Sequence, residues 1–109
     1  MASADLKLKV TQVYTNRCLC FHHLNQQNSV LNDANYVLQK LDPQNAKALF
    51  RRAHSYKTMN RWEDAMKDLQ ELIKENPSEE IKKDISECLR KVIDQKRQQQ
   101  KQAEEAAKK

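Results

Sequence analysis

The sequence predicts an all-α protein, and three observations carry that prediction. Glycine is absent from the 109 residues, and proline occurs only at Pro43 and Pro77. Sheets with tight hairpin turns and Gly-rich phosphate loops need glycine, so both are disfavoured. Gln, Lys, Glu, Ala and Leu are common, and these residues lose little on entering a helix. The apolar residues also recur at the spacing of one helix face.

The elements follow in order. A first helix is expected from about Leu6 to Leu24, with Val10, Tyr14, Cys18 and Phe21 on one face. The polar stretch "NQQN" makes the turn. A second helix carries Val30, Leu31, Ala34, Val37, Leu38 and Leu41, and ends at "LDP". A third runs from about Ala46 to Met59, with Leu49, Ala53 and Tyr56 at i, i+4 and i+7. "MNR" turns the chain at Asn60, a residue type that tolerates a left-handed backbone. The fourth helix, Trp62 to about Glu75, presents a wide stripe of Trp62, Ala65, Met66, Leu69, Leu72 and Ile73, and Pro77 closes it. A fifth begins in "SEEIKKDISECLRKVI". Ser78 stands where it can cap this helix, and Glu79 and Glu80 suit its first turn. Ile81, Ile85, Leu89 and Val92 form the expected buried stripe. Beyond Ile93, "DQKRQQQKQAEEAAKK" has helix propensity and no face to bury, so a solvated extension or fraying tail is expected.

Pro43 and Pro77 lie 34 residues apart, each after an amphipathic stretch and a polar residue, "LQKLDPQN" and "LIKENPSE". A period of this length is the mark of a helical repeat array. Aligning Asn16 with Arg51 matches the two units through Leu38. The first unit then holds one extra residue near Gln39 or Lys40. The division is a lead over residues 1–5, repeats over 6–43 and 44–77, a capping helix over 78–94 and a polar extension over 95–109.

Composition narrows the function classes. The net charge of +5 suits an acidic partner without naming one. Three cysteines, an odd number, do not make a disulfide framework, and a reducing, cytoplasmic setting is expected. No run of 18 apolar residues exists, and "MASADLKLK" has no signal-peptide character. No spacing supports a nucleophile–base pair, paired catalytic carboxylates or a cofactor motif, so an enzyme is not expected and no cofactor is assigned.

The 34-residue period, the aromatic residues of the first and third helices, Trp62 followed by Ala65, and the closing "LDP" and "ENP" resemble the tetratricopeptide repeat (TPR) family. The resemblance covers Val10 to Pro77, and Ile81 to Ile93 looks like the family's capping helix. It implies a right-handed superhelix of two helix–turn–helix repeats plus that cap. Asn60 stands where the family commonly has a turn glycine.

Within that family, "YTNRCLCF" and "NAKALFRRA" look like the co-chaperone subclass with a dicarboxylate clamp. Those domains hold the C-terminal tail of heat-shock protein 90 or heat-shock protein 70, which ends Glu-Glu-Val-Asp. The resemblance implies that Asn16, Lys47 and Arg51 are the clamp residues, with Phe50 and His54 as groove wall. Lys47 and Arg51 are i and i+4, one helical turn apart, and suit the two carboxylates of a C-terminal Asp. The subclass also draws a Lys and an Asn from a preceding repeat. This sequence does not contain that repeat, so the clamp is partial. The expectation is either a fragment of a longer protein or a protein that has lost the repeat.

Blander readings stand beside these. Lys47 and Arg51 alone would read as solvated charges. Arg52, about 100° round the helix from Arg51, is expected to pair with an acid inside the stack. Cys18 and His22, four apart in "CLCFHH", have metal-ligand spacing, yet no further ligands are evident and no metal is assigned. The basic residues of the tail are interrupted by Glu104 and Glu105 and lack aromatic neighbours, so nucleic acid is not expected. No membrane partner is expected either. Self-association through the exposed first helix is a further expectation. The alternative to peptide binding is a structural scaffold that docks through its helical faces and C-terminal helix.

Overall fold

The computed structural model describes residues 2–108. Five α-helices make the fold: α1 Ala2–His23, α2 Gln27–Tyr36, α3 Ala46–Thr58, α4 Trp62–Glu75 and α5 Glu79–Ala107. A π-helical turn, Val37–Leu41, continues α2 without a break. No strand occurs among the described residues. Consecutive helices pack on one another, and α1 also touches α3. The hairpins α1–α2 and α3–α4 therefore stack with their first helices adjacent. The 29-residue α5 draws the molecule out to 65 × 28 × 22 Å.

The core is built from small and medium side chains. Cys18, Val30, Ala34, Val37, Ala48, Ala65 and Cys88 are completely buried, and Leu69, Leu72 and Ile81 nearly so. Alanines at the crossings let the helix axes approach, and the larger aliphatics fill the spaces between them. Each buried Leu or Val contributes about 2 kcal/mol by leaving water. Tyr14, Phe21, Tyr56 and Trp62 pack at the margin of this core, half-exposed.

The two hairpins repeat one another in detail at a spacing of thirty-five residues. Each first helix ends in a Schellman motif. Gln26 N–H bonds Phe21 C=O at 2.9 Å, and Asn25 N–H bonds His22 C=O at 3.0 Å. Arg61 N–H bonds Tyr56 C=O at 2.8 Å, and Asn60 N–H bonds Lys57 C=O at 3.0 Å. This closure needs a left-handed residue, and Asn25 (φ 57°) and Asn60 (φ 60°) supply it. The left-handed backbone expected of Asn60 is present, and Asn25 is its counterpart.

The prolines are one residue closer than this thirty-five-residue frame, and the π turn accounts for the difference. Asp42 N–H reaches Val37 C=O at 2.7 Å, an i→i+5 bond. The extra residue expected near Gln39 or Lys40 is absorbed as one wider turn. α3 then starts on a local hydrogen-bonded lattice. Asp42 accepts from Gln44 N–H at 3.2 Å, Pro43 has no donor to leave unpaired, and the Asn45 side chain accepts from Ala48 N–H at 2.9 Å.

Three expectations are corrected. α1 begins at Ala2, upstream of Leu6. Ser78 holds the N-cap position of α5 but makes no side-chain cap bond. Leu89 is 48% exposed, and the buried stripe of α5 runs instead through Ile81, Ile85, Cys88 and Val92. These sit at i, i+4, i+7 and i+11, whereas Leu89 is about 100° round from Cys88.

Candidate peptide-binding surface

A first helix of either hairpin has four sides at 100° per residue. On α3 one side carries Leu49, Ala53 and Tyr56, against α4. A second carries Ala48 and Ser55, towards the preceding hairpin, where Ser55 Oγ donates to Gln27 Oε1 at 2.7 Å. A third carries Lys57, whose Nζ reaches Asp84 at 3.4 Å and Glu87 at 3.5 Å on α5. The fourth side carries Lys47, Arg51 and His54. Asn16 occupies on α1 the place that Arg51 occupies on α3. The structure thus sets Asn16, Lys47 and Arg51 on corresponding sides of two touching helices.

Asn16 and Lys47 are exposed, and Arg51 is half-buried. The cations of α3 divide sharply. Arg52 donates to Asp68 Oδ2 and Oδ1 at 2.8 and 2.6 Å, and to Asn35 Oδ1 at 2.9 Å. Lys57 is engaged by α5. Lys47 and Arg51 form no ion pair among the described residues. Arg52 therefore pairs inside the stack, as its position predicts, and its guanidinium is held charged beyond its ordinary range by Asp68.

The guanidinium of Arg51 lies 5.6 Å from the centre of the Phe50 ring, a cation–π distance. Phe50 stacks on His54 at 6.4 Å, and His54 meets His22 of α1 edge-on at 4.7 Å. Phe50 and His54 thus border Arg51 along the α1–α3 seam. Partial burial lowers the pKa of His54, and the neighbouring charges of His22, Lys57 and Arg51 lower it further. A positive strip bordered by an imidazole whose charged form is disfavoured can receive a carboxylate.

Cys18 and His22 have different neighbours: His22 meets His54 of α3, and Cys18 faces α2. Cys18 is buried with its Sγ 3.6 Å from Val30 C=O, and burial, then Asp33, push its thiol up to about 11. Among the described residues no group of three His, Cys, Asp or Glu is placed to hold a metal. No described helix is long and apolar enough to cross a membrane.

A second buried-acid pair, not expected from the sequence, joins Arg17 to Asp33. Arg17 Nε and Nη2 donate to the two carboxylate oxygens at 2.6 Å each. The pair lies thirty-five residues before Arg52 and Asp68. The same offset that aligned Asn16 with Arg51 would have found it.

The chain is similar to sperm-associated antigen 1. It is 38% identical to the Mus musculus protein over 78 residues, which is 71% of this chain and 8% of that protein. The Rattus norvegicus protein is 35% identical over 86 residues, 78% of this chain and 10% of the relative. The Homo sapiens protein is 35% identical over 83 residues, 75% of this chain and 9% of the relative. The chain thus spans about a tenth of the length of these curated relatives or less. No protein-family model matches it.

Proposed function

We propose that this chain is a protein-recognition module of the TPR type, part of a co-chaperone, and that it binds the acidic C-terminal tail of heat-shock protein 90 or heat-shock protein 70. Asn16, Lys47 and Arg51 act as a partial carboxylate clamp, with Phe50 and His54 as its wall. One observation carries the reading. Of the four cations on α3, the two at the clamp positions have no acidic partner among the described residues, while Arg52 and Lys57 are both engaged.

The chemistry follows from the ligand. A C-terminal Asp brings two carboxylates. Lys47 offers a compact ammonium, Arg51 a planar fork, and the Asn16 amide a neutral donor. The similarity to sperm-associated antigen 1 over most of the chain supports a shared domain type. The three free cysteines, two of them buried, suit a reducing cytoplasmic setting.

Titration with a labelled peptide ending Glu-Glu-Val-Asp, beside the same peptide amidated at its C-terminus, tests the proposal. Binding of the free acid alone supports it. Equal binding of both forms, or of neither, removes the clamp.

A second reading has one observation in its favour. Leu89 and Ile93 of α5 are 48% and 41% exposed, and with Ser86, Arg90, Asp94 and Arg97 they line a shallow depression. A scaffold docking through this helix would use that face and leave the clamp residues silent.

A further inference from the structure

Lys47, Arg51 and His54 stand at i, i+4 and i+7 on one side of α3, so the imidazole lies one turn beyond the cation pair. His54 is exposed and open to solvent. Its ring is nevertheless flanked on two sides, by the Phe50 ring at 6.4 Å and by His22 of α1, edge-on at 4.7 Å. The helices around it set its charge. α1 brings His22, with His23 a further 5.7 Å from that ring. α3 itself brings Arg51 and Lys57. α5 brings Asp84, which favours a proton on His54 but is engaged by Lys57 together with Glu87. The acid that α4 turns towards α3, Asp68, is held by Arg52, and α2 meets the neighbouring Ser55 with the uncharged Gln27. In the free protein, partial burial and then His22, Lys57 and Arg51 disfavour the charged imidazole.

We propose that His54 is a proton-linked contact of the peptide site: an acidic C-terminal peptide held by Lys47 and Arg51 draws a proton from solvent onto the His54 imidazole, and the affinity for that peptide rises as the pH falls below neutral. This coupling rests on the proposed clamp, to which it adds a third cation that forms with the complex. No covalent bond of the peptide changes. The proton comes from the buffer and returns to it when the peptide leaves.

The ligand reverses the balance at His54. Without it, the charged groups that share this side of α3 are the cations Lys47 and Arg51. With it, those cations face carboxylates, and a tail that is acidic beyond its last residue sets more negative charge along the same side. Neighbouring positions on one helix face are about 5–6 Å apart, and an opposite charge within about 4–6 Å favours the protonated ring. Peptide cover acts in the other direction by burying the ring further, but Phe50 and His22 already cover part of it. Linkage fixes the sign: a peptide that raises the proton affinity of His54 binds tighter to the protonated protein by the same factor. Ordinary lysine, arginine and carboxylate side chains keep their charge between about pH 5.5 and 7.5, which leaves histidine as the residue type that changes.

Calorimetric titration of the full chain with a free-acid peptide ending Glu-Glu-Val-Asp tests the coupling. Run near about pH 6 in buffers of low and high ionisation enthalpy, it counts the protons taken up per peptide bound. Net uptake of a fraction of a proton is expected, with an affinity severalfold tighter at about pH 5.8 than at about pH 7.5. His54→Gln should remove most of the uptake and flatten the pH profile, whatever it does to affinity at neutral pH. His23→Gln should leave both as they are. Acid loosening of the fold would weaken binding, the opposite sign, and so does not imitate the effect. An NMR titration of the His54 ring needs no variant: its midpoint should move to higher pH when the peptide saturates the protein. Free-acid binding with no proton uptake, uptake that survives His54→Gln, or a ring midpoint that stays or falls overturns the coupling and leaves the clamp standing. No binding of the free acid at any of these pH values overturns both.

Discussion

Arg52 grips Asp68 through two hydrogen bonds of 2.8 and 2.6 Å, and the carboxylate it holds is almost fully buried. The bond ties the first helix of the second hairpin to its second helix. The remaining guanidinium nitrogen reaches back to Asn35 of the first hairpin. One side chain thus closes a hairpin and stacks it on its neighbour. Removing it leaves a buried carboxylate without compensation, which costs far more than the pair's net contribution. Arg52→Ala is expected to lower the unfolding free energy by about 3 kcal/mol. Arg17→Ala, at the equivalent but more exposed pair, is expected to cost less. Urea melts of the two variants check the order, and a larger loss at Arg17 would contradict it.

At the proposed clamp, Lys47→Ala and Arg51→Ala are each expected to weaken the free-acid peptide roughly ten- to hundredfold, the range of one charge-assisted bond. Arg51→Lys keeps the charge and loses the fork, so its effect should be smaller than that of Arg51→Ala. Affinity should fall as salt rises. Unfolding midpoints of all three variants should stay near that of the parent, because neither cation is in an internal ion pair among the described residues. Fluorescence anisotropy with parallel melts separates binding from folding.

The limits of the sequence reading have physical causes. The hairpins were legible because amphipathic period and turn chemistry are local: Leu49, Ala53 and Tyr56 announce a helix whatever lies opposite them. The extra residue near Gln39 or Lys40 was legible as an offset. Its form as a π turn was not, since a one-residue insertion can equally lengthen a loop. Leu89 was misplaced because Cys88 competes for the same inward position, and the choice rests on how α5 crosses α4. The Ser78 bond was expected from residue type alone, whereas capping needs a hydroxyl rotamer that sequence does not specify. For the site, the alignment of Asn16 with Arg51 came from sequence. The engagement of Arg52 and Lys57, which leaves Lys47 and Arg51 apart, depends on Asp68, Asp84 and Glu87 arriving from other helices.

The end of α5 should be dispensable for stability. Val92 is its last buried residue. Beyond it, Gln95 Nε2 donates to Asn60 C=O at 3.2 Å and Lys96 meets Glu63 at 3.3 Å, both at the surface. A chain ending at Gln98 is expected to melt within about 1 kcal/mol of the full chain, the reach of surface contacts of this kind. A chain ending at Leu89 loses Val92 and should be destabilised by about 2 kcal/mol or more. Hydrogen exchange offers a second check: amides after Gln98 should exchange fast and those around Cys88 slowly.

The thiols give a pH prediction whose sign is fixed by burial. Cys18 is raised from an ordinary value near 9 to about 11, chiefly because the interior disfavours a thiolate. The folded state therefore keeps its proton where the unfolded chain would release it. The stability this confers is complete below about pH 9 and is lost as pH rises through about 11, by about 2 to 3 kcal/mol in all. Cys88 is shifted the same way by burial, and its contribution has the same sign. Cys18→Ala should flatten the fall in stability between those pH values while costing something at neutral pH for the space it leaves. Reactivity gives the independent reading. Cys20 is exposed, whereas Cys18 and Cys88 are buried. A disulfide reagent at neutral pH should titrate one thiol fast and two only at the rate of unfolding. Three fast thiols would mean that α1 and α5 open far more often than their buried contacts allow.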